Sequence, residues 1–219
     1  VVIIGRGDRL LAKQLDREGS IFFLSIVEKA GIRVALRGEL AEIGEGIATL
    51  ADGRGFEAAA VVFAAGIKSD FRLAQNMGAH CNRAIVVDDH MRTSLPDVFA
   101  AGDCAEFNGR VYGLWTASMA QGAVAGACAA GGEKTYQPEQ PSYMMNAMGT
   151  KVWSYGNIEA EDGATRKDTT SGHFLKLFFV EDKLAGAEMI GDISKMLPLK
   201  KAVDQALERA KAEKTFLPR

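Results

Sequence analysis

Two rhythms of apolar and polar positions run along these 219 residues. Residues 1–4 form an unbroken branched apolar run, which predicts a strand. From Asp16 the apolar positions Ile21, Leu24, Ile26 and Val27 recur at helical spacing as far as Gly31, a residue suited to a helix C-cap. Residues 32–36 return to a β-branched run, so the first forty residues read as part of a parallel βαβ unit. Residues 39–63 are punctuated by Gly44, Gly46 and the hairpin-forming pair Asp52-Gly53, and predict a β-meander that ends in a buried run at 58–63. Further on, 72–77 predicts a short helix, 85–87 a strand, 98–101 a second strand running into Gly102-Asp103, and 117–130 a helix of small residues. Gly131-Gly132 and the prolines at 138 and 141 mark a linker. Beyond it, 152–155, 174–180 and 184–190 read as antiparallel strands, the last two joined by a tight turn at 181–183. A final helix is expected over 193–211, started or kinked by Pro198.

Composition narrows the class. With 47% hydrophobic and 25% charged residues the chain can bury one large core or two modest ones. Its 26 basic and 28 acidic side chains give a net charge of −2, which points to neither nucleic acid nor an anionic membrane as a partner and favours small-molecule chemistry. No apolar run reaches the roughly eighteen residues of a membrane span, and the first residues lack the order of a signal peptide, so the expectation is a soluble cytoplasmic protein. Cys81, Cys104 and Cys128 are odd in number and scattered, which argues against a disulfide framework, a zinc site or a dithiol centre and for small apolar filler. His80, His90 and His173 share no ligand spacing, so no metal site is expected and none is assigned to catalysis. The charged closing segment, with Glu208, Arg209 and Glu213, reads as a solvated amphipathic face.

The segment 93–103, TSLPDVFAAGD, carries the strongest chemical signal: a turn, an apolar strand, and an acid at the strand's C-terminal end, where ligands bind in α/β folds. A carboxylate at Asp103 can accept hydrogen bonds from sugar-alcohol hydroxyls, and Gly102 lets backbone approach a pyrophosphate with no Cβ in the way. Gly113 and the helix after it add exposed N–H groups suited to a flavin carbonyl or a phosphate. The plainer alternative is that Asp103 caps a helix.

These eleven residues resemble the second FAD fingerprint of the two-dinucleotide-fold flavoproteins, in which Asp103 matches the ribityl-binding aspartate. The segments 82–88, 91–94 and 117–122 look like rubredoxin reductases, NADH oxidases and the flavoprotein part of NADH-dependent nitrite reductases. Residues 62–66, ending at Gly66, are similar to the crossing from the NAD domain back to the FAD domain. Tyr112-Gly113-Leu114-Trp115-Thr116 matches the segment that in relatives lies at the pyrimidine side of the flavin ring, and 184–192 resembles the small C-terminal domain. The resemblance implies an α/β fold: partial FAD/NAD(P)-binding Rossmann-like domains at 1–66 and 67–132, then a small α+β domain of dimerisation type at 133–219. It implies FAD and NAD(P)H as cofactors, hydride transfer from the nicotinamide nucleotide to flavin, and electron delivery to rubredoxin, oxygen, a disulfide or a metal centre. It further implies a homodimer. The cofactor-binding residues it nominates are Gly66, Gly102, Asp103, Gly113, Leu114, Trp115 and Arg6; no catalytic residue is nominated.

Departures from the family pattern bear on completeness. The family has two GxGxxG turns and this chain has neither, since Gly5-x-Gly7 is followed by Leu10 where a third glycine belongs. The expectation is a C-terminal portion that starts one βα unit into the NAD domain. Where the second strand of that domain normally ends on an acid for the adenosine ribose stands Gly5, followed by Arg6 with Arg9 nearby. An arginine can pair with the 2′-phosphate of NADPH, yet NADH-using relatives carry arginines here too, so the reading leans slightly to NADH and leaves the choice open. The rival readings are a non-catalytic dimerisation or scaffold module, and one half of a split enzyme.

Overall fold

The computed structural model describes residues 1–138, 140 and 142–217. The chain divides into two compact units, residues 1–62 with 140–219, and residues 63–139.

In the first unit, β1 (Val2–Gly5) and β2 (Arg33–Leu36) pair in parallel, Ile3 opposite Val34, and α1 (Arg17–Lys29) connects them, as the sequence predicts. Asp16 is the N-cap of α1, its carboxylate accepting from the Gly19 N–H at 2.7 Å, and Gly31 at φ +79° follows the Ala30 C-cap. The expected meander forms from β3 (Leu40–Ile43), β4 (Ile47–Leu50) and β5 (Gly55–Glu57), with Asp52-Gly53 at the second turn. The buried strand expected at 58–63 does not form. It finds no partner strand among the described residues: the Ala58 N–H donates to Gly46 O at 2.8 Å, the run makes no ladder beyond it, and Val62 is 88% exposed.

The second part of this unit is a five-stranded antiparallel sheet in the order β10-β11-β12-β9-β8, built from β8 (Ser142–Ala147), β9 (Thr150–Gly156), β10 (Asp162–Asp168), β11 (His173–Val180) and β12 (Lys183–Ile190). β11 and β12 join through Glu181 and Asp182, both at positive φ, the two-residue geometry that matches strand twist. Sequence reading misses β8 (SYMMNA), which follows directly on the prolines read as a linker, and β10 (DGATRKD), whose apolar content is low. One sheet face, with Val152, Phe174 and Ile190, packs on Phe22, Phe23 and Val27 of α1. The other face, with Trp153, Leu177, Phe179 and Met189, packs on α4 (Met196–Asp204) and α5 (Arg209–Phe216). The single closing helix of the sequence reading is therefore two helices. Pro198 sits in the first turn of α4, where a missing N–H costs nothing, and the break falls at Ala206, whose φ is +47°. Arg209 is not a solvated charge: its guanidinium lies 4.1 Å from the Phe179 ring centroid and pairs with Asp182, Asp162 and Glu213.

The second unit holds α2 (Arg72–Asn76), the parallel pair β6 (Ile85–Val87) and β7 (Ala105–Phe107), and α3 (Trp115–Ala129). Its core gathers Val87, Met91, Phe107, Val124, Cys128 and Tyr136, with Phe107 and Tyr112 both edge-on to Tyr136. Buried Glu106 is satisfied by the N–H groups of Arg83 and Ala84 at 2.9 and 3.3 Å. All three cysteines are free. The segment 131–138 has no regular structure, but Tyr136 within it is packed in the core of this unit, and Pro141 lies outside the described residues.

Candidate functional site

Two of the sequence expectations are corrected at the site itself. Residues 98–101 are not a strand: they make one isolated bridge, Arg92 with Phe99, and bonds from Thr93 N–H to Val98 O and from Ala100 N–H to Met91 O, too few for a ladder. The strand lies later, at β7, and Asp103 sits in one turn of 3-10 helix, Gly102–Cys104, that leads into it. Helix α3 begins at Trp115 rather than Ala117, with Leu114 as its N-cap.

Around that turn the local chain brings several nominated residues together. Gly102 has φ +82°, a left-handed conformation that favours glycine, and a Cβ there would sit 3.3 Å from Ser118 Oγ in the first turn of α3. Its N–H donates to the Gln121 side-chain oxygen at 2.7 Å, and the Asp103 carbonyl accepts from Ser69 Oγ at 2.5 Å. The backbone of the turn is thus fixed from both sides while the Asp103 carboxylate remains exposed. Leu114 provides no side-chain cap, so the first N–H groups of a fifteen-residue helix are left for another acceptor. Gly113 is at φ +61° and packs near Ile67, while Trp115 is 81% exposed. Gly66, at φ +87°, lies in the irregular segment and a Cβ there would meet nothing within 4 Å. Arg6 belongs to the first unit, where it follows β1 and is exposed.

Sequence reading missed Gln121 and Ser69, the residues that hold the turn. Gln121 had a usable signal, being the one fully buried amide in a helix otherwise of small and apolar residues. Its Nε2 has no partner among the described residues.

Elsewhere, Asp88, Asp89 and His90 gather their ligand atoms closely, but hydrogen bonds within the loop account for it. Asp88 accepts from the N–H groups of His90 and Arg92, and the His90 ring lies between Asp89 and Glu133. A concavity of about 890 Å³ in the first unit, lined by Met144, Met148, Lys151, His173 and Leu197 among others, contains none of the nominated residues. No helix among the described residues is long and apolar enough to cross a membrane.

A glycine-acid turn beside an uncapped helix N-terminus, with a parallel β pair in each unit, makes this an α/β protein of Rossmann-like build. The chain belongs to the pyridine nucleotide-disulphide oxidoreductase family, whose model matches residues 1–122; residues 141–207 match the rubredoxin NAD+ reductase C-terminal domain. It is 35% identical over 202 residues to an assimilatory nitrate reductase electron transfer subunit of Bacillus subtilis, covering 88% of this chain and 26% of that protein. It is 32% identical over 197 residues to the NADH-rubredoxin oxidoreductase of Clostridium acetobutylicum, covering 90% and 50%. The crystal structure of that clostridial enzyme superposes with a TM-score of 0.76 at 29% identity, over 94% of this chain and 53% of the other. A ferredoxin reductase from Rhodopseudomonas palustris shares the fold, with a TM-score of 0.84 at 22% identity over 97% and 56%. The chain thus spans between about a quarter and a little over half of these relatives.

Proposed function

We propose that this chain supplies the C-terminal part of an FAD-dependent NAD(P)H oxidoreductase. The observation that carries this reading is the turn at Gly102-Asp103, pinned by Gln121 and Ser69 against the free N-terminus of α3. These residues fit a flavin nucleotide: an exposed carboxylate for the ribityl hydroxyls, a left-handed glycine for close approach, and unpaired N–H groups for a ring carbonyl or phosphate. FAD, when bound, would supply hydride-accepting redox chemistry toward NAD(P)H; the protein's share is to bind and orient it. Asp103 holds the sugar-alcohol chain, Gly102 permits approach, and Gly113, Leu114 and Trp115 place the helix end and an exposed indole beside it. Gly66 lies at the crossing between the nucleotide-binding domains, and Arg6 serves the nicotinamide nucleotide.

The domain scheme in this reading is 1–66, 67–132 and 133–219. The relatives' names favour a small redox protein such as rubredoxin as acceptor. We read the protein as cytoplasmic, and as a homodimer through the C-terminal domain, on which Met144, Met148 and Leu197 are exposed; sedimentation would reveal a monomer if this is wrong.

Replacing Asp103 with Ala is expected to cut flavin retention at least tenfold, the loss of two or more charge-assisted hydrogen bonds. The check is the visible flavin absorbance of protein passed over a desalting column with added FAD. Equal occupancy in D103A and the parent would sink the assignment.

A further inference from the structure

The seat of α1 on the C-terminal sheet is polar at one end and apolar at the other. One row of side chains runs in register across all five strands: Thr165 on β10, Lys176 on β11, Glu188 on β12, Ser154 on β9 and Tyr143 on β8. The next row on that face, with Phe174, Ile190, Val152 and Met145, holds Phe22, Phe23 and Val27 of the helix. At the first turn of α1 the polar row meets Asp16 and Glu18. The helix belongs to the N-terminal βαβ unit and the sheet to the C-terminal domain, so the seam joins segments that are 172 residues apart at the Asp16–Glu188 contact.

Charge does not balance there. Among the described residues the seam holds three acids, Asp16, Glu18 and Glu188, against two lysines, Lys167 and Lys176. Glu18 takes Lys167 at 3.2 Å, and Lys176 divides itself between Asp16 at 2.7 Å and Glu18 at 3.2 Å. Arg17 is turned away to Asp8. Glu188 is left with no cation, although it is fully buried and its Oε1, like the Oγ of Ser154 opposite it, has no partner among the described residues. An ionised carboxylate in that position is costly, so it keeps its proton. Burial first, and then the Asp16 carboxyl, move its titration upward. Space is short as well: a Cβ on Gly19 of α1 would lie 3.0 Å from the Glu188 carboxyl carbon. A hydration shell can reach the acid only when the helix lifts.

We infer that this proton gates the seam: ionisation of Glu188 lifts the first turn of α1 off the sheet while β11 and β12 stay paired, so that the N-terminal βαβ unit and the C-terminal domain part locally, short of unfolding. The gate is independent of the flavin reading, whose Gly102-Asp103 turn lies in the other unit.

The test is residue-resolved hydrogen exchange of the full chain from about pH 6 to about pH 9, corrected for intrinsic rates. The reporters are the N–H groups of Asp16, Gly19 and Ser20, bonded to the Glu188 carboxyl, the Asp16 side chain and the Asp16 carbonyl. The references are ladder amides of β11 and β12. The reporters are expected to exchange at least about tenfold faster than the references, and to speed up by roughly tenfold per pH unit. E188Q should remove that pH dependence. Equal protection of reporters and references would mean that the seam opens only when the whole unit unfolds, and would overturn the local gate; this comparison needs no variant. A reporter rate in the parent that ignores pH, or one in E188Q that follows pH as the parent's does, would overturn Glu188 as the gating group.

Discussion

Raising the pH from about 5 to about 9 is expected to weaken the first unit steadily, by up to about 1.4 kcal/mol per pH unit, and replacing Glu188 with Gln should flatten that slope. Glu188 is fully buried on β12, on the sheet face covered by α1. Its Oε2 accepts from the Asp16 N–H at 2.9 Å, while its Oε1 has no partner among the described residues. The groups facing it are Asp16 and Glu18 from α1, Lys176 from β11, Lys167 from β10, and the hydroxyl of Ser154 from β9, its register partner. Lys176 is spent on the other two acids, 2.7 Å from Asp16 and 3.2 Å from Glu18. Burial, and then the neighbouring Asp16 carboxyl, push Glu188 up to about 9. A raised acid in the folded state binds its proton more tightly than in the unfolded chain. Its contribution is fully present below the ordinary glutamate value and disappears as pH climbs through the raised one. Asp16 and Glu18 are lowered and Lys176 is raised, so they act on the acid side and the far alkaline side of this window. Glutamine keeps the acceptor for Asp16's N–H and adds a donor without a titration. Denaturant unfolding across the pH range measures the slope; a wild-type slope no steeper than that of E188Q would mean that Glu188 is charged in the folded protein.

How much of this was readable in sequence depends on how far apart the partners lie. The β1-α1-β2 unit, its Asp16 cap and the Asp52-Gly53 hairpin are written in local periodicity and turn residues, and they form as expected. The run 58–63 misled because apolar residues alone do not make a strand; a pairing edge is required, and that is tertiary information. The closing helix was split by a left-handed Ala206, which no propensity marks. At the candidate site, residue type exposed Gly102 and Asp103, but the position of the acid relative to the strand was misjudged because 98–101 looks like β and is held as loop. Gln121 and Ser69 act through hydrogen bonds to backbone, a role their identities do not announce. The Asp16–Glu188 contact spans 172 residues, and only the fold shows that β12 carries its acid beneath the start of α1.

Gly19 meets that acid from the other side: a Cβ there would lie 3.0 Å from the Glu188 carboxyl carbon and closer still to Oε1. Backbone atoms crowd Gly186 on three sides, and Gly186→Ala is expected to cost about 3 kcal/mol, the upper part of the range for overpacking. Gly186 lies opposite Gly156 on β9 and Phe178 on β11. Where β9 ends, Gly156 takes φ +75° and the chain turns across β12, anchored by Asn157 N–H to Ala185 O at 2.9 Å. A Cβ on Gly186 would stand 2.6 Å from the Asn157 carbonyl carbon, 2.9 Å from its nitrogen and nearer still to its oxygen. All three are backbone atoms and have no rotamer by which to move aside. Relief would have to come from shifting the turn, which would break the Ala185 bond and tilt the sheet on which Leu177, Met189 and α4 pack. Gly126→Ala in α3 supplies the opposite case. Its added Cβ would meet nothing within 4 Å, so removing backbone freedom from a helix interior should gain about 0.5–1 kcal/mol. Urea midpoints compared at constant slope measure both, and a Gly186→Ala variant as stable as the parent would show that the β9 turn is free to move.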